Sequence, residues 1–180
     1  MSNEHKKIDD QLARWIRRQH VFFVATAPLS RKSRVNCSPK GGDTLRIVDP
    51  KTVVYQDLTG SGAETIAHLR ENGRIVIMFC AFEGPPKIVR LHGKGEVIPP
   101  GSRMYRSFAA RFPANPGARA IIRVKVSRVS DSCGYAVPLM DYRASRKTLD
   151  RWAETKGPEG LDRYRADKNK KSIDGLPALD

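Results

Sequence analysis

Arg34-Val-Asn-Cys-Ser-Pro-Lys-Gly-Gly42 and, one short hairpin later, Tyr55-Gln-Asp-Leu-Thr-Gly-Ser-Gly-Ala-Glu64 are the two stretches on which the reading of this chain turns. From Arg34 to Lys40, long polar side chains alternate with small or apolar ones, the period of a strand. Pro39 has no N–H to donate, so that strand belongs at a sheet edge or a bulge. Such an edge leaves backbone groups free for a ligand, and Arg34 and Lys40 add a planar cationic fork and a mobile point charge. The same residues would equally make a solvated basic edge, and the strand alone does not separate the two readings.

The second stretch follows the apolar run Val53-Val54-Tyr55 and precedes a helical pattern with Ile66, Leu69 and Arg70. Ser61, with Glu64 three residues on, has capping-box spacing and is predicted to be the N-cap. Gly60 and Gly62 allow close backbone approach, and the first free N–H groups of a helix favour an anion. No Gly-Lys-Ser/Thr closes the turn, so it is not a P-loop. A cap and an anion site both remain open.

Working outward, residues 1 to 7 are polar and predict a frayed start. Ile8, Leu12, Trp15 and Ile16 recur at helical spacing, which predicts a helix over 9–19 with Trp15 in the core. Val21 to Ala27 is dense in β-branched and aromatic residues and reads as a strand ended by Pro28. Gly41-Gly42 and Asp49-Pro50-Lys51 mark tight turns around short strands at 44–48 and 52–56. Helix 63–71 stops at Asn72-Gly73. Residues 74–82 are almost continuously apolar and predict a strand buried on both faces, while 87–98 alternate through Ile88, Arg90, His92, Lys94 and Glu96. After Pro99-Pro100-Gly101 comes a short helix with Met104, Phe108 and Phe112 turned inward, then a last strand at 120–129. The pattern predicts a mainly β fold with peripheral helices, a barrel of about six strands. From Asp141 the texture becomes charged and helical, broken at Gly157-Pro158. It holds too few apolar residues for a core of its own, so 141–180 reads as an appendage of a domain spanning 1–140.

Composition narrows the function classes. The 180 residues suit one core, and 33 basic against 19 acidic side chains give a net charge of +14, which points to anionic partners. Nucleic acid is disfavoured because the aromatic residues lie on apolar faces and do not alternate with the basic ones as a stacking platform requires. Cys37, Cys80 and Cys133 are odd in number and unpaired in motif, which favours a reducing compartment. His5, His20, His68 and His92 show no metal-ligand spacing, so no metal is expected. Arg17-Arg18 before Val21-Phe-Phe-Val24 is too short for an export signal, and no run approaches membrane-spanning length. The expectation is a cytoplasmic protein.

In order along the chain, Arg34 to Lys40, the Tyr55–Glu64 turn running into Ala67-His-Leu-Arg-Glu-Asn-Gly-Arg74, the run Ile75 to Phe82, and Arg90-Leu-His-Gly-Lys-Gly-Glu-Val97 resemble the pyridoxamine 5'-phosphate oxidase-like flavoproteins. The resemblance spans roughly residues 15 to 130 and is nearest to members carrying Val-Asn-x-Ser-Pro-Lys-Gly. Cys133-Gly-Tyr-Ala-Val-Pro138 and Lys168-Asn-x-x-Ser-Ile-Asp-Gly-Leu-Pro177 resemble the same subgroup. It implies a six-stranded antiparallel split β-barrel, a homodimer, and FMN held between the subunits. Carried over residue by residue, the ring would lie along Asn36, Cys37, Ser38 and Pro39, and the phosphate would meet Lys40 or Arg34. The turn Asp57, Leu58, Thr59, Ser61 and Gly62 would frame the site, with Thr59, Ser61 and Gly62 as hydroxyl and amide donors. Arg90 and His92 would reach the partner's flavin.

Two departures limit the resemblance. Gly62 and Ala63 stand where true oxidases carry basic residues, and the Trp-Arg-Leu-x-Pro ending and Arg-x-His pair that grip pyridoxine phosphate are missing. The implied function is therefore an FMN-dependent oxidoreductase acting on some other small molecule, with a nicotinamide as one candidate electron donor. A non-catalytic carrier of flavin, deazaflavin or haem is the first alternative, and a basic nucleic-acid-binding barrel the second.

Overall fold

The computed structural model describes residues 2–179. Among them a single antiparallel sheet holds eight strands in the order β3-β2-β6-β7-β8-β5-β4, with β1 paired to β8. These are β1 (Ser2–His5), β2 (Val21–Thr26), β3 (Asn36–Gly41), β4 (Leu45–Asp49), β5 (Thr52–Leu58), β6 (Arg74–Cys80), β7 (Ile88–Ile98) and β8 (Ala118–Ser132). The helices are α1 (Asp10–Arg17), α2 (Glu64–Glu71), α3 (Arg103–Ala109) and α4 (Thr148–Lys168).

The two edge strands, β3 and β4, follow one another in the chain. Their connection carries Gly42 at φ 72° and Asp43 at φ 60°, two successive left-handed residues of the kind a tight hairpin turn needs. Joining the edges at one corner curls the sheet into an open barrel. Its inner face is built from alternate positions, among them Val24, Val53, Tyr55, Ile77, Phe79, Leu91 and Ile122, all essentially without solvent contact. Ile16 of α1 and Ile66 of α2 close the same core. Each such Val, Leu or Ile contributes about 1.5–3 kcal/mol by burial. Two glycines permit the close packing: a Cβ on Gly93, at the β7–β8 bulge, would lie 2.2 Å from the Lys125 carbonyl oxygen, and one on Gly95 would lie 2.7 Å from Leu69 of α2.

Four expectations need correction. The sheet has eight strands and not six, in part because residues 2–5 are not frayed. Ser2 to His5 pair with Ser132 to Val129, and Asn3 Nδ2 and His5 Nε2 both bond Asp131. Ser61 is not the cap of α2: the helix starts at Glu64 after Ala63, with no side-chain cap. Met104 is exposed, and α3 buries no residue of its own, although Phe108 and the buried Phe112 pack on a small second cluster. The first helix is shorter than expected, capped by Asp9, whose carboxylate accepts from Leu12 N at 2.8 Å.

The appended C-terminal residues complete the domain. α4 is interrupted at Gly157, φ 63°, as its Gly-Pro pair suggested. Residues 169–179 then fold back through a Lys171–Pro177 bridge, bringing the fully buried Ala178, with Leu176 and Leu179, onto the main core.

Candidate functional site

Strand register sorts the motif residues before any cavity is considered. Asn36, Ser38 and Lys40 lie opposite Thr26, Val24 and Phe22 of β2, which are buried, so these three share the inner side of β3. Cys37 and Pro39 lie opposite Ala25 and Phe23 on the outer side. Arg90, paired with Met78 and Ser130 and bonded through Nη1 to Ser132 Oγ at 3.1 Å, belongs to that outer face as well. The expectation of a ring lying along all four residues 36 to 39 is thus divided by the pleat.

On the inner side a cavity of about 240 Å³ opens between β3 and the turn after β5, lined by Asn36, Ser38, Lys40, Asp57, Leu58, Gly60, Gly62, Glu64, Thr65 and Arg119. The structure brings together Asn36, Ser38, Lys40, Asp57, Leu58 and Gly62 from the expected set. Thr59 sits beneath the turn instead, its hydroxyl committed to Gly117 O at 2.8 Å. Ser61 is exposed and does not line the cavity. Arg34 does not line the cavity and is ion-paired with Asp174. Larger hollows lie elsewhere, one of about 400 Å³ beside α1 and the β3–β4 turn and one of about 430 Å³ between α2 and β7–β8. Neither is lined by any of the expected cofactor-binding residues, and convergent polar groups single out a site better than volume does.

Asp57 organises the electrostatics. Its carboxylate has no solvent contact and accepts from Lys40 Nζ at 3.1 Å and from Arg119 Nε at 2.8 Å. Burial by itself would push this carboxyl up, but the two cations outweigh it and hold it below the ordinary value. Arg119 enters where the β5–β8 register slips between Asp57 and Leu58. Its Nη1 donates to Asn169 Oδ1 at 2.8 Å, and Asn169 Nδ2 donates to Gly60 O at 2.9 Å. Arg165 Nε donates to Thr59 Oγ1 at 2.9 Å. The end of α4 therefore bolts the 57–60 turn from beneath.

A second chain of polar groups runs inward from the cavity. Ser38 Oγ donates to Asn36 Oδ1 at 2.9 Å, and Asn36 Nδ2 reaches Thr65 Oγ1 at 3.1 Å and Thr26 Oγ1 at 3.3 Å. Thr26 Oγ1 in turn lies 2.9 Å from Nδ1 of the fully buried His68. His68 Nε2 has no hydrogen-bond partner among the described residues. Glu64, the remaining carboxylate of the cavity, accepts Ile173 N on both oxygens at 3.1 Å.

Sequence reasoning missed Arg119, Glu64 and Thr65 as lining residues, and Asn169 and Arg165 as their support. Arg119 carried a signal: an arginine between two alanines at the start of an apolar strand must find a buried partner. Among the described residues no cluster of His, Cys, Asp and Glu could hold a metal ion, and no helix is long and apolar enough to cross a membrane.

Comparison with known proteins agrees with this architecture. The family model described as pyridoxamine 5'-phosphate oxidase matches residues 8–133. The pyridoxamine 5'-phosphate oxidase family protein ustO of Aspergillus flavus is 38% identical over 192 residues, covering 97% of this chain and 77% of that protein. Among solved structures, HupZ from Group A Streptococcus superposes with a TM-score of 0.54 at 26% identity, covering 68% of this chain and 91% of that one. A candidate pyridoxamine 5'-phosphate oxidase of Lactobacillus delbrueckii shares the fold, with a TM-score of 0.53 at 14% identity, over 69% of this chain and 94% of that one. The match across residues 8–133, together with a relative this similar along nearly the whole chain, makes this protein a member of the pyridoxamine 5'-phosphate oxidase family.

Proposed function

We propose that this protein binds a flavin between β3 and the 57–62 turn and uses it in the redox chemistry of a small molecule other than pyridoxamine phosphate. The observation that carries this reading is the convergence of Asn36, Ser38 and Thr65 with the Asp57 ion-pair knot around one cavity, in a chain belonging to this family. At about 240 Å³ the cavity falls below the range of about 300–1,000 Å³ that encloses a drug-sized ligand. It suits the polar chain of a flavin and leaves the ring system to a site completed by a second copy of the chain, so the working unit is a homodimer. A cytoplasmic setting accords with the three free thiols.

When bound, the flavin supplies the hydride or electron chemistry. The protein's own groups bind and orient. Asn36 and Ser38 offer an amide and a hydroxyl from one side of β3 to the ligand's polar atoms. Lys40, held by Asp57, ties β3 to the turn and keeps the cavity open to a fixed width. FMN is the form that the family resemblance implies, yet Lys40 and Arg119 are matched inside the cavity by Asp57 and Glu64, which leaves no surplus positive charge there for a phosphate.

A second reading, a flavin carrier without turnover, is favoured by one specific observation. Each titratable side chain lining the cavity is already engaged, Lys40 and Arg119 with Asp57, and Glu64 with Ile173 N. The visible spectrum of freshly purified protein, recorded before dialysis, tests the shared claim: flavin bands are expected, and colourless protein that takes up no added flavin overturns it. Oxidation of a reduced nicotinamide by the coloured protein then separates enzyme from carrier.

A further inference from the structure

The cavity of about 430 Å³ between α2 and β7–β8 shares no lining residue with the one between β3 and the 57–62 turn. α2 lends it Leu69 and Arg70, and the two strands lend it Lys94, Glu96, Arg123 and Lys125. Its wall is therefore strongly cationic, with Glu96 as the one carboxylate.

Strand register sets these charges against one another. Lys94 lies directly opposite Lys125 on β8 and opposite Arg74 on β6, while Glu96 lies opposite Arg123. Unlike charges directly opposed across a sheet stabilise it, and like charges destabilise it. The Glu96 carboxylate is engaged by Arg123 Nη2. Neither the Lys94 nor the Lys125 ammonium has a hydrogen-bond or ion-pair partner among the described residues.

The backbone fixes the two lysines where they are. Gly93 and Gly95, on either side of Lys94, bring β7 against the Lys125 carbonyl and against Leu69. A Cβ on Gly73, in the turn between α2 and β6, would lie 3.0 Å from Lys94 Cγ and 3.1 Å from Cε, so the lysine stem is laid along that turn. Two opposed ammonium groups beside a hollow, with the local carboxylate already engaged, attract an anion from solution. Lysine meets phosphate as a point charge, whereas planar carboxylates favour the arginine fork. A dianion bridging Lys94 and Lys125 would turn one repulsive pair into two attractive ones.

We propose that this cavity is a second binding site, which takes the phosphate or diphosphate group of a small molecule between Lys94 and Lys125. It goes beyond the flavin reading and does not depend on it.

The test titrates inorganic pyrophosphate by calorimetry, at fixed ionic strength, into the parent, Lys94→Gln, Lys125→Gln, the double variant, Glu96→Gln and Lys156→Gln. The last removes one exposed charge from α4. Saturable binding to the parent is expected. Each cavity lysine variant should weaken it by about threefold to tenfold, and the double variant should weaken it further. Glu96→Gln should tighten it, and Lys156→Gln should leave it unchanged. Without pyrophosphate the double variant should melt no lower than the parent, because the opposed like charges are gone. With pyrophosphate the Tm of the parent should rise and that of the double variant should not. Affinity that falls as much in Lys156→Gln as in Lys94→Gln, or binding that never saturates, overturns the proposal. So does a short DNA duplex whose affinity falls with both lysines while pyrophosphate does not bind, since that result makes the face a nucleic-acid surface. Flavin affinity should be equal in the parent and the double variant, and a loss in the variant would contradict two separate sites.

Discussion

Two ion-pair clusters tie the C-terminal residues to the barrel, and they differ in depth more than in chemistry. At the Asp57–Arg119–Asn169 knot, Asp57 has no exposed surface and the Arg119 side chain is only 5% exposed. At the Arg34–Asp174 pair, the arginine side chain is 68% exposed and the aspartate side chain 8%. Breaking the first strands charge away from water, whereas breaking the second returns the Arg34 guanidinium to solvent and leaves Asp174 the bond from the Arg34 backbone N. The knot therefore belongs to the folding of the domain. The Arg34 side chain, with its own way to water, contributes less to the fold.

Removing the centre of the knot is the severest way to break this comparison. Asp57→Ala leaves Lys40 and Arg119 without their shared partner and should cost about 3–5 kcal/mol in urea unfolding. A loss below about 1 kcal/mol would place the knot in the same class as the Arg34–Asp174 pair. Asn169→Ala removes a smaller part, leaving Arg119 Nη1 and Gly60 O only their mutual contact at 3.4 Å, and should cost about 1–3 kcal/mol.

Acid titrates three carboxyls that the fold holds below the ordinary value, Asp131, Asp174 and, the one with no solvent contact, Asp57. Its folded pKa lies below the ordinary 3.8, so its contribution is complete above that value and is lost as pH falls through the depressed folded one. The parent should lose stability steeply below about pH 4, and Asp57→Asn should flatten that limb while lowering stability near neutrality. Equal acid slopes in the two proteins would show that Asp57 is not held as described. Arg34→Ala closes the series, with an expected cost of about 0–1 kcal/mol. A cost above about 2 kcal/mol, on the scale of losing a buried pair, would place Arg34–Asp174 in the same class as the knot.

Much of the barrel was legible because its signals are local. The pleat period of 34–40 and 87–98, the apolar run of 74–82 and the Asn72-Gly73 stop each depend on neighbours in sequence. β1 was not legible, since Ser-Asn-Glu-His has no apolar alternation and is held by backbone pairing and by Asp131, more than 120 residues away. The supposed Ser61 cap failed for a related reason. Glu64 has the right spacing to reach back, but its carboxylate is drawn to Ile173 N, 109 residues further on. In the site, Lys40 and the turn were placed together by resemblance, whereas Arg119 depends on a pairing across 62 residues that no spacing rule contains. The buried Asp57 should have prompted the search: a carboxylate directly after Val53-Val54-Tyr55-Gln56 on one strand requires a cation from elsewhere in the chain.

The central claim is that the cavity between β3 and the 57–62 turn seats a flavin, and filling that cavity tests it most directly. Ser38 faces the cavity from β3, so Ser38→Phe occupies the space without removing any member of the Asp57 knot. Titrating flavin fluorescence against both proteins, with matching Tm values as the control for folding, should give saturable quenching by the parent and at least about tenfold weaker binding by the variant, a difference of about 1.4 kcal/mol. Equal affinity in the two proteins would contradict the account.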